Sequence, residues 1–279
     1  MPTRARAGRG AGGGAAALCH SDLDMMAMPA AMGEALGWSM PFTLGHETAG
    51  WVAAVGTGVI GVAEGDAVAV SSPSSCGRCR WCLAGRDNAC PHGLVGRGYG
   101  RDGGLAGAVL VDDVRSVLPL APGLDPTAAG PLTDAAATSH HAVRRVLPRV
   151  RPDGTVVVIG VGGLGAFVVQ ILRATTTARV VAVDPDPVRR RSPSASEPIT
   201  SWTASGRARR AVAALVGEGG ADAVIDLVGS DATIACATRV CGPGGAIAVV
   251  GAAGGTLARS VVRLAAATAG VHLPGLGSR

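Results

Sequence analysis

The stretch from Thr155 to Asp184, TVVVIGVGGLGAFVVQILRATTTARVVAVD, constrains the fold of this chain more than any other. An apolar run, Val156 to Ile159, breaks at Gly160-x-Gly162-Gly163-x-Gly165. Apolar residues then recur at helical spacing (Leu164, Val168, Ile171, Leu172), and a second run follows from Val180 to Val183. The pattern reads as strand, tight turn, helix, strand. In such a unit Gly160 makes the turn, Gly162 lets a pyrophosphate approach the backbone, and Gly165 packs helix on strand. The amides of Gly163 and Leu164 then stand at the start of the helix, where phosphate is held. Asp184 lies 19 residues beyond Gly165 and ends the second strand, where a carboxylate can accept both ribose hydroxyls and repel a 2′-phosphate. The pattern therefore predicts a dinucleotide site that favours NAD over NADP. A glycine-rich turn of an ordinary parallel sheet is the bland alternative.

A chain of 279 residues, 48% of them hydrophobic, can bury the cores of two ordinary domains. With 43 glycines and only seven aromatic residues, those cores must be built from Val, Ala, Leu and Ile. No run approaches the roughly 18 apolar residues of a membrane span. The start, MPTRARAGRGAGGGAAA, lacks the apolar run of a secretion signal, which implies a cytoplasmic protein. The net charge of +5 is spread over separate arginine clusters with no interleaved aromatics, so solvated faces are favoured over a nucleic-acid surface. Seven cysteines in such a chain point to metal or thiol chemistry before disulfides.

In chain order, residues 1–15 are rich in Gly, Ala and Arg and are expected to be disordered. Cys19-His20-Ser21-Asp22 follows, then a methionine-rich segment expected to pack in a core, then Leu44-Gly45-His46-Glu47. A thiolate and an imidazole suit zinc, although a lone Cys and His are more often ordinary core or surface residues. Ala49 to Val70 reads as short antiparallel strands of a barrel-like fold. Cys76, Cys79, Cys82 and Cys90, in C-x2-C-x2-C-x7-C, can close a tetrahedral shell around a structural zinc; an iron–sulfur cluster or disulfides are the alternatives. Asp134, in an Ala-rich helical stretch, reads on its own as a helix cap. Pro148, Pro152 and Gly154 place a domain boundary near Arg151. After Asp184 the alternation of strand and helix falters over Arg189 to Arg207. It resumes with helices at 209–216 and around 234–240 and strands at 222–228, 246–250 and near Val271. Cys236 and Cys241 read as packing residues.

Taken together, CHSD, LGHE, the four-cysteine lobe and VIGVGGLG resemble, in order and spacing, the zinc-dependent medium-chain alcohol dehydrogenases, and closest among them the bacterial secondary-alcohol dehydrogenases that use an Asp zinc ligand. The resemblance covers most of residues 16–188 and 208–279. It implies an α/β protein with a partial GroES-like β-barrel catalytic domain over 16–151 and a partial Rossmann domain, a doubly wound parallel sheet, over 152–279. It also implies two zinc ions per chain, NAD, a small alcohol or ketone as substrate, and a homodimer or homotetramer. On this resemblance Cys19, His46 and Asp134 bind the catalytic zinc, moving Asp134 from cap to ligand. Glu47 is the nearby acid, and Asp22 orients His46. Ser21 takes the alcohol proton and passes it outward through the cofactor ribose and His20. Thr138 contacts the nicotinamide side of the cofactor, and Arg189 reaches the adenosine ribose.

Three departures from the family pattern bear on activity. A low-complexity leader stands where about 30 residues of β structure are expected, Arg189 to Arg207 has the wrong composition for the helix and strand expected there, and the chain stops after PGLGSR, short of a last helix and strands. Leu276 falls where relatives can carry a large aromatic. The middle departure has the character of a local frame shift in GC-rich coding sequence, a hypothesis that resequencing to an unbroken frame refutes. The alternative function is accordingly an inactive fragment that keeps zinc and nucleotide binding.

Overall fold

A computed structural model of the chain describes residues 5–8, 14–92, 95–189, 200–201, 206–257 and 270–272, and for 5–8, 200–201, 206–210 and 270–272 it describes the backbone alone. Two compact units result, Met1–Ala137 with Gly277–Arg279, and Thr138–Leu276.

The first unit contains β1 (Ala5–Gly8), β2 (Ala15–Ala17), α1 (His20–Met26), α2 (Ala30–Ala35), β3 (Glu47–Val55) and β4 (Ala67–Val70). It continues with α3 (Arg80–Leu83), β5 (Gly96–Arg97), β6 (Gly100–Arg101), β7 (Ala108–Val111), β8 (Val117–Pro119) and α4 (Pro126–Ala129). Its main sheet has the order β7-β1-β3-β4-β8, with β2 also paired to β3, and is antiparallel throughout. Valines at alternate positions bury one face: Val52, Val68, Val70, Val109, Val111 and Val117 form its core. Branched, compact side chains suit a pleated surface in a chain so poor in aromatics.

Two features of this unit differ from the reading of the sequence. The composition of residues 1–15 argues for disorder, yet the backbone of Ala5–Gly8 pairs with both β3 and β7. A strand between two others is held by main-chain hydrogen bonds that composition does not report. The methionine segment is not core: Met25 is buried, but Met26 is 73% and Met32 54% exposed. Seven-residue α1 and six-residue α2 are too short to turn every methionine inward.

After α5 (Ala135–Val146) the second unit runs β9 (Thr155–Ile159), α6 (Gly163–Thr175), β10 (Arg179–Asp184), β11 (Thr200–Ser201), α7 (Gly206–Val216), β12 (Ala221–Asp226), α8 (Asp231–Val240), β13 (Cys241–Val249) and β14 (Gly270–His272). The sheet is parallel with the order β11-β10-β9-β12-β13-β14. Along β9, Val156 and Val158 join one core while Val157 and Ile159 join the other, so both faces are covered. Strand order reverses at β9, and ligands of such sheets bind beyond the carboxyl ends of the strands at that point. Cys236 is fully buried in one core and Cys241 packs against it, as expected of packing residues. The anomalous stretch has Thr200–Ser201 paired to β10, while 190–199, 202–205 and Leu276 lie outside the described residues.

Candidate functional site

Asp22 assembles the centre. Its carboxylate is buried, with 2% of the residue exposed. The Cys19 amide donates to Asp22 Oδ2 at 2.8 Å, and the Gly45 amide donates to Oδ1 at 3.4 Å. Oδ1 also lies 3.3 Å from His46 Nδ1. One acid thus ties the start of α1 to the turn before β3 and faces the imidazole between them. Gly45 makes this turn at φ +97°, with Leu105 pressed against the place a Cβ would take.

The other face of the imidazole meets the remaining groups. His46 Nε2 lies 3.4 Å from Asp134 Oδ2 and 3.4 Å from Ser21 Oγ. Ligand atoms of Cys19, His46 and Asp134 all fall within 4.8 Å of one another. Zinc bonds to nitrogen and oxygen of about 2.0–2.2 Å at tetrahedral angles place two such ligands about 3.4 Å apart. The thiol, imidazole and carboxylate therefore fit zinc in both chemistry and spacing. Burial pushes His46 down, but its contacts with Asp134 and Cys19 and the charge of Asp22 outweigh burial and raise it to about 10. The bond to His46 holds Cys19 below the ordinary thiol range.

Asp134 stands just before α5 and points Oδ2 at His46, while the first amide of that helix, Ala135 N, donates to Glu47 Oε1 at 3.1 Å. Glu47 is buried, and burial with the neighbouring charge of Asp134 raises its carboxyl above the usual range. His20, the first residue of α1, is exposed.

Sequence reasoning passed over Tyr99. Its ring meets that of His46 edge to face at 6.2 Å and that of Trp38 at 6.4 Å. Gly96 and Gly100 clear the space: a Cβ on either would run into the Tyr99 or Trp38 ring. The signal was present in GRGYG, the one tyrosine of the chain set among glycines.

Four sulfurs meet in the cysteine lobe. The separations Cys79–Cys82, Cys76–Cys82 and Cys79–Cys90 are 3.5, 4.0 and 4.0 Å. Zinc–sulfur bonds of about 2.3 Å at tetrahedral angles require about 3.8 Å, whereas a disulfide needs about 2.05 Å. The lobe fits a closed metal shell and not disulfides. Amides of Arg78 and Cys79 hold the Cys76 thiol down to about 6, favouring thiolate.

In the second unit Gly160 turns at φ +88°, and a Cβ on Gly165 would strike the Gly160 carbonyl oxygen, so the first and last glycines do what the spacing required of them. Gly163 has open space and Gly162 faces only Arg189, leaving the helix start accessible. Asp184 is 1% exposed; its Oδ2 accepts from Val161 N at 2.7 Å and its Oδ1 from Asp186 N at 2.8 Å. Arg189 lies over it, Nη1 to Oδ2 at 3.8 Å. Thr138 is half-buried, and its neighbour Ser139 donates to the Leu164 carbonyl at 2.8 Å, a link to the glycine turn that sequence reasoning missed.

Comparison with known proteins agrees with this geometry. Residues 14–122 match the family described as alcohol dehydrogenase GroES-like domain, and residues 163–272 the family described as zinc-binding dehydrogenase. An NAD-dependent alcohol dehydrogenase of Sulfurisphaera tokodaii is 35% identical over 255 residues, which is 87% of this chain and 70% of that protein. Among solved structures, the D-arabinose dehydrogenase of Sulfolobus solfataricus aligns with a TM-score of 0.84 at 28% identity, over 99% of this chain and 82% of that one. The alcohol dehydrogenase of Aeropyrum pernix aligns with a TM-score of 0.83 at 29% identity, over 98% and 77%. With both domain families matched in order, and a relative of this identity spanned over most of its length, the chain belongs to the zinc-dependent medium-chain alcohol dehydrogenase family.

Proposed function

We propose that this chain is an NAD-dependent alcohol dehydrogenase that oxidises small, chiefly secondary, alcohols to ketones and runs the reverse reduction. The convergence of Cys19, His46 and Asp134 within 4.8 Å carries the reading. When bound, zinc supplies Lewis acidity toward an oxygen ligand, and NAD supplies the hydride acceptor.

The residues of the chain do the rest. Cys19, His46 and Asp134 hold the catalytic ion with a position left for substrate, and Cys76, Cys79, Cys82 and Cys90 hold a structural one. Asp22 Oδ1, 3.3 Å from Nδ1 of His46, is placed to orient the ring so that Nε2 faces the metal, the outer-shell role that fixes a ring's orientation. Ser21 Oγ, 3.4 Å from Nε2, is the hydroxyl placed to receive the alcohol proton. Exposed His20, next along α1, passes that proton to water. Glu47 stands by as the acid that enters when ligands exchange. Gly160, Gly162, Gly163, Leu164 and Gly165 seat the pyrophosphate. Asp184 and Arg189 meet the adenosine ribose once Arg189 swings aside, and Thr138 meets the nicotinamide. The protein works in the cytoplasm as a dimer or tetramer.

The test is zinc-loaded protein with NAD and 2-propanol. NADH and acetone should appear in equal amounts, and Asp134→Ala should lower kcat/KM by about a hundredfold or more, the scale of a lost ligand or its support. A protein that holds two zinc ions yet yields no NADH with a panel of primary and secondary alcohols overturns the reading.

A further inference from the structure

The catalytic reading leaves one buried acid unused. Asp226 ends β12, beside Ile159 at the end of β9, on the side of the sheet where strand order reverses. The residue is 0% exposed, and its Oδ2 has no hydrogen-bond partner among the described residues. Few buried polar atoms are left so, and each calls for an explanation.

The rest of the residue is densely used. Asp226 Oδ1 accepts from the amides of Val228 at 2.9 Å and Gly229 at 3.0 Å. Its main-chain carbonyl accepts from Val250 at 2.8 Å and Gly251 at 3.2 Å. One residue therefore holds the loops that leave both β12 and β13. The loop after β12 in turn abuts the glycine turn: Val228 Cγ2 lies 2.9 Å from where a Gly160 Cβ would stand, and Leu227 Cδ1 3.3 Å from that of Gly165. Gly229 turns at φ +71° with the Gly251 carbonyl filling its Cβ space, so the two loops have no slack between them.

We propose that Asp226 is a positioning residue for the nucleotide: by fixing the Val228 and Gly229 amides it holds the loop that abuts the glycine turn. The inference rests on the reading of that turn as an NAD site. It requires only the acceptor Oδ1, the oxygen that receives both amides. Burial pushes the Asp226 carboxyl up, against the pull of the Gly229 and Val228 amides and the Thr233 hydroxyl. Asparagine keeps the shape and the acceptor, and alanine removes the acceptor.

The experiment measures NADH affinity by fluorescence, zinc content, and the split between KM for NAD and kcat, for wild type, Asp226→Asn and Asp226→Ala. Asp226→Asn should stay within about threefold of wild type. Asp226→Ala leaves two amides unpaired and should weaken NADH binding about tenfold or more, raising KM with kcat at saturating NAD and zinc content little changed. If Asp226→Ala does not fold, hydrogen exchange on wild type decides: slow exchange at Val228 and Gly229 before NAD is added supports the inference, and exchange at free-loop rates overturns it. Alanine binding NADH like wild type, or asparagine failing as badly as alanine, also overturns it. A wild-type protein that binds no NADH at all overturns the nucleotide reading itself.

Discussion

At the scale of the residue, the centre depends on acids doing different work according to what surrounds them. Asp22 is sealed and receives amides from the two segments that carry Cys19 and His46. Asp134 keeps about a third of its side chain exposed and points at the opposite nitrogen. Glu47 takes the first amide of α5. We expect Asp22→Asn to weaken the catalytic zinc about ten- to hundredfold while leaving the cysteine site untouched, because outer-shell partners of a ligating histidine are worth about that much; competition with a zinc chelator reads both sites. Gly165→Ala should abolish NAD binding without removing zinc, since its new methyl meets the Gly160 carbonyl oxygen across a turn that cannot widen; NADH fluorescence checks this. The motifs made most of these residues legible, because glycine turns and metal ligands tolerate few other residue types. Asp134 was legible only through resemblance, since His46, the group it faces, stands 88 positions earlier in the chain. Ser139 was not legible, because its partner Leu164 is brought near only by the fold, nor was Asp226, whose burial leaves no mark in local sequence; Tyr99 was marked only by its place among glycines.

At the scale of the element, an arginine network ties the strands together beside the cysteine lobe. Arg97, 3% exposed, donates Nη2 to Asp112 Oδ1 at 2.7 Å and further bonds to the carbonyls of Ser71 and Leu110. Arg101 takes the other oxygen of Asp112 at 2.6 Å and reaches Ser74 Oγ. Asp87 accepts from Ser75 and from Arg115, at 2.6 and 2.7 Å. These bonds fix the chain on either side of the lobe, so the shell of sulfurs is anchored to the sheet. Asp112→Ala leaves a guanidinium buried without its anion and should cost about 2–4 kcal/mol in chemical denaturation, somewhat under the full figure for a buried pair because Asp112 is partly wet. The elements themselves were readable where periodicity was strong, as in β9, α6 and β10. They were misread where burial depends on length and neighbours: β1, built from a leader with no apolar pattern, and the methionines of α1 and α2.

At the scale of the whole molecule, the proposed metal ligands lie in one compact unit and the glycine turn proposed to seat the nucleotide in the other. Removal of both zinc ions by chelation should therefore lower the melting temperature of the first unit's transition and leave NADH binding to the second largely intact, since metal-binding free energy contributes to folding where the ligands lie; calorimetry with and without chelator checks this. The parallel sheet was evident from one glycine-rich stretch. The antiparallel sheet was evident only as a kind, because pairings between distant strands leave no mark in local sequence.

The central claim is that three residues from distant parts of the chain hold one catalytic ion apart from the cysteine lobe. Metal analysis of purified wild type and Cys19→Ala tests it most directly. The account predicts two zinc ions per chain in wild type and one in the variant, the remaining ion showing four sulfur ligands by X-ray absorption. Two ions retained in Cys19→Ala, or a single ion in wild type held by the four cysteines alone, would contradict it.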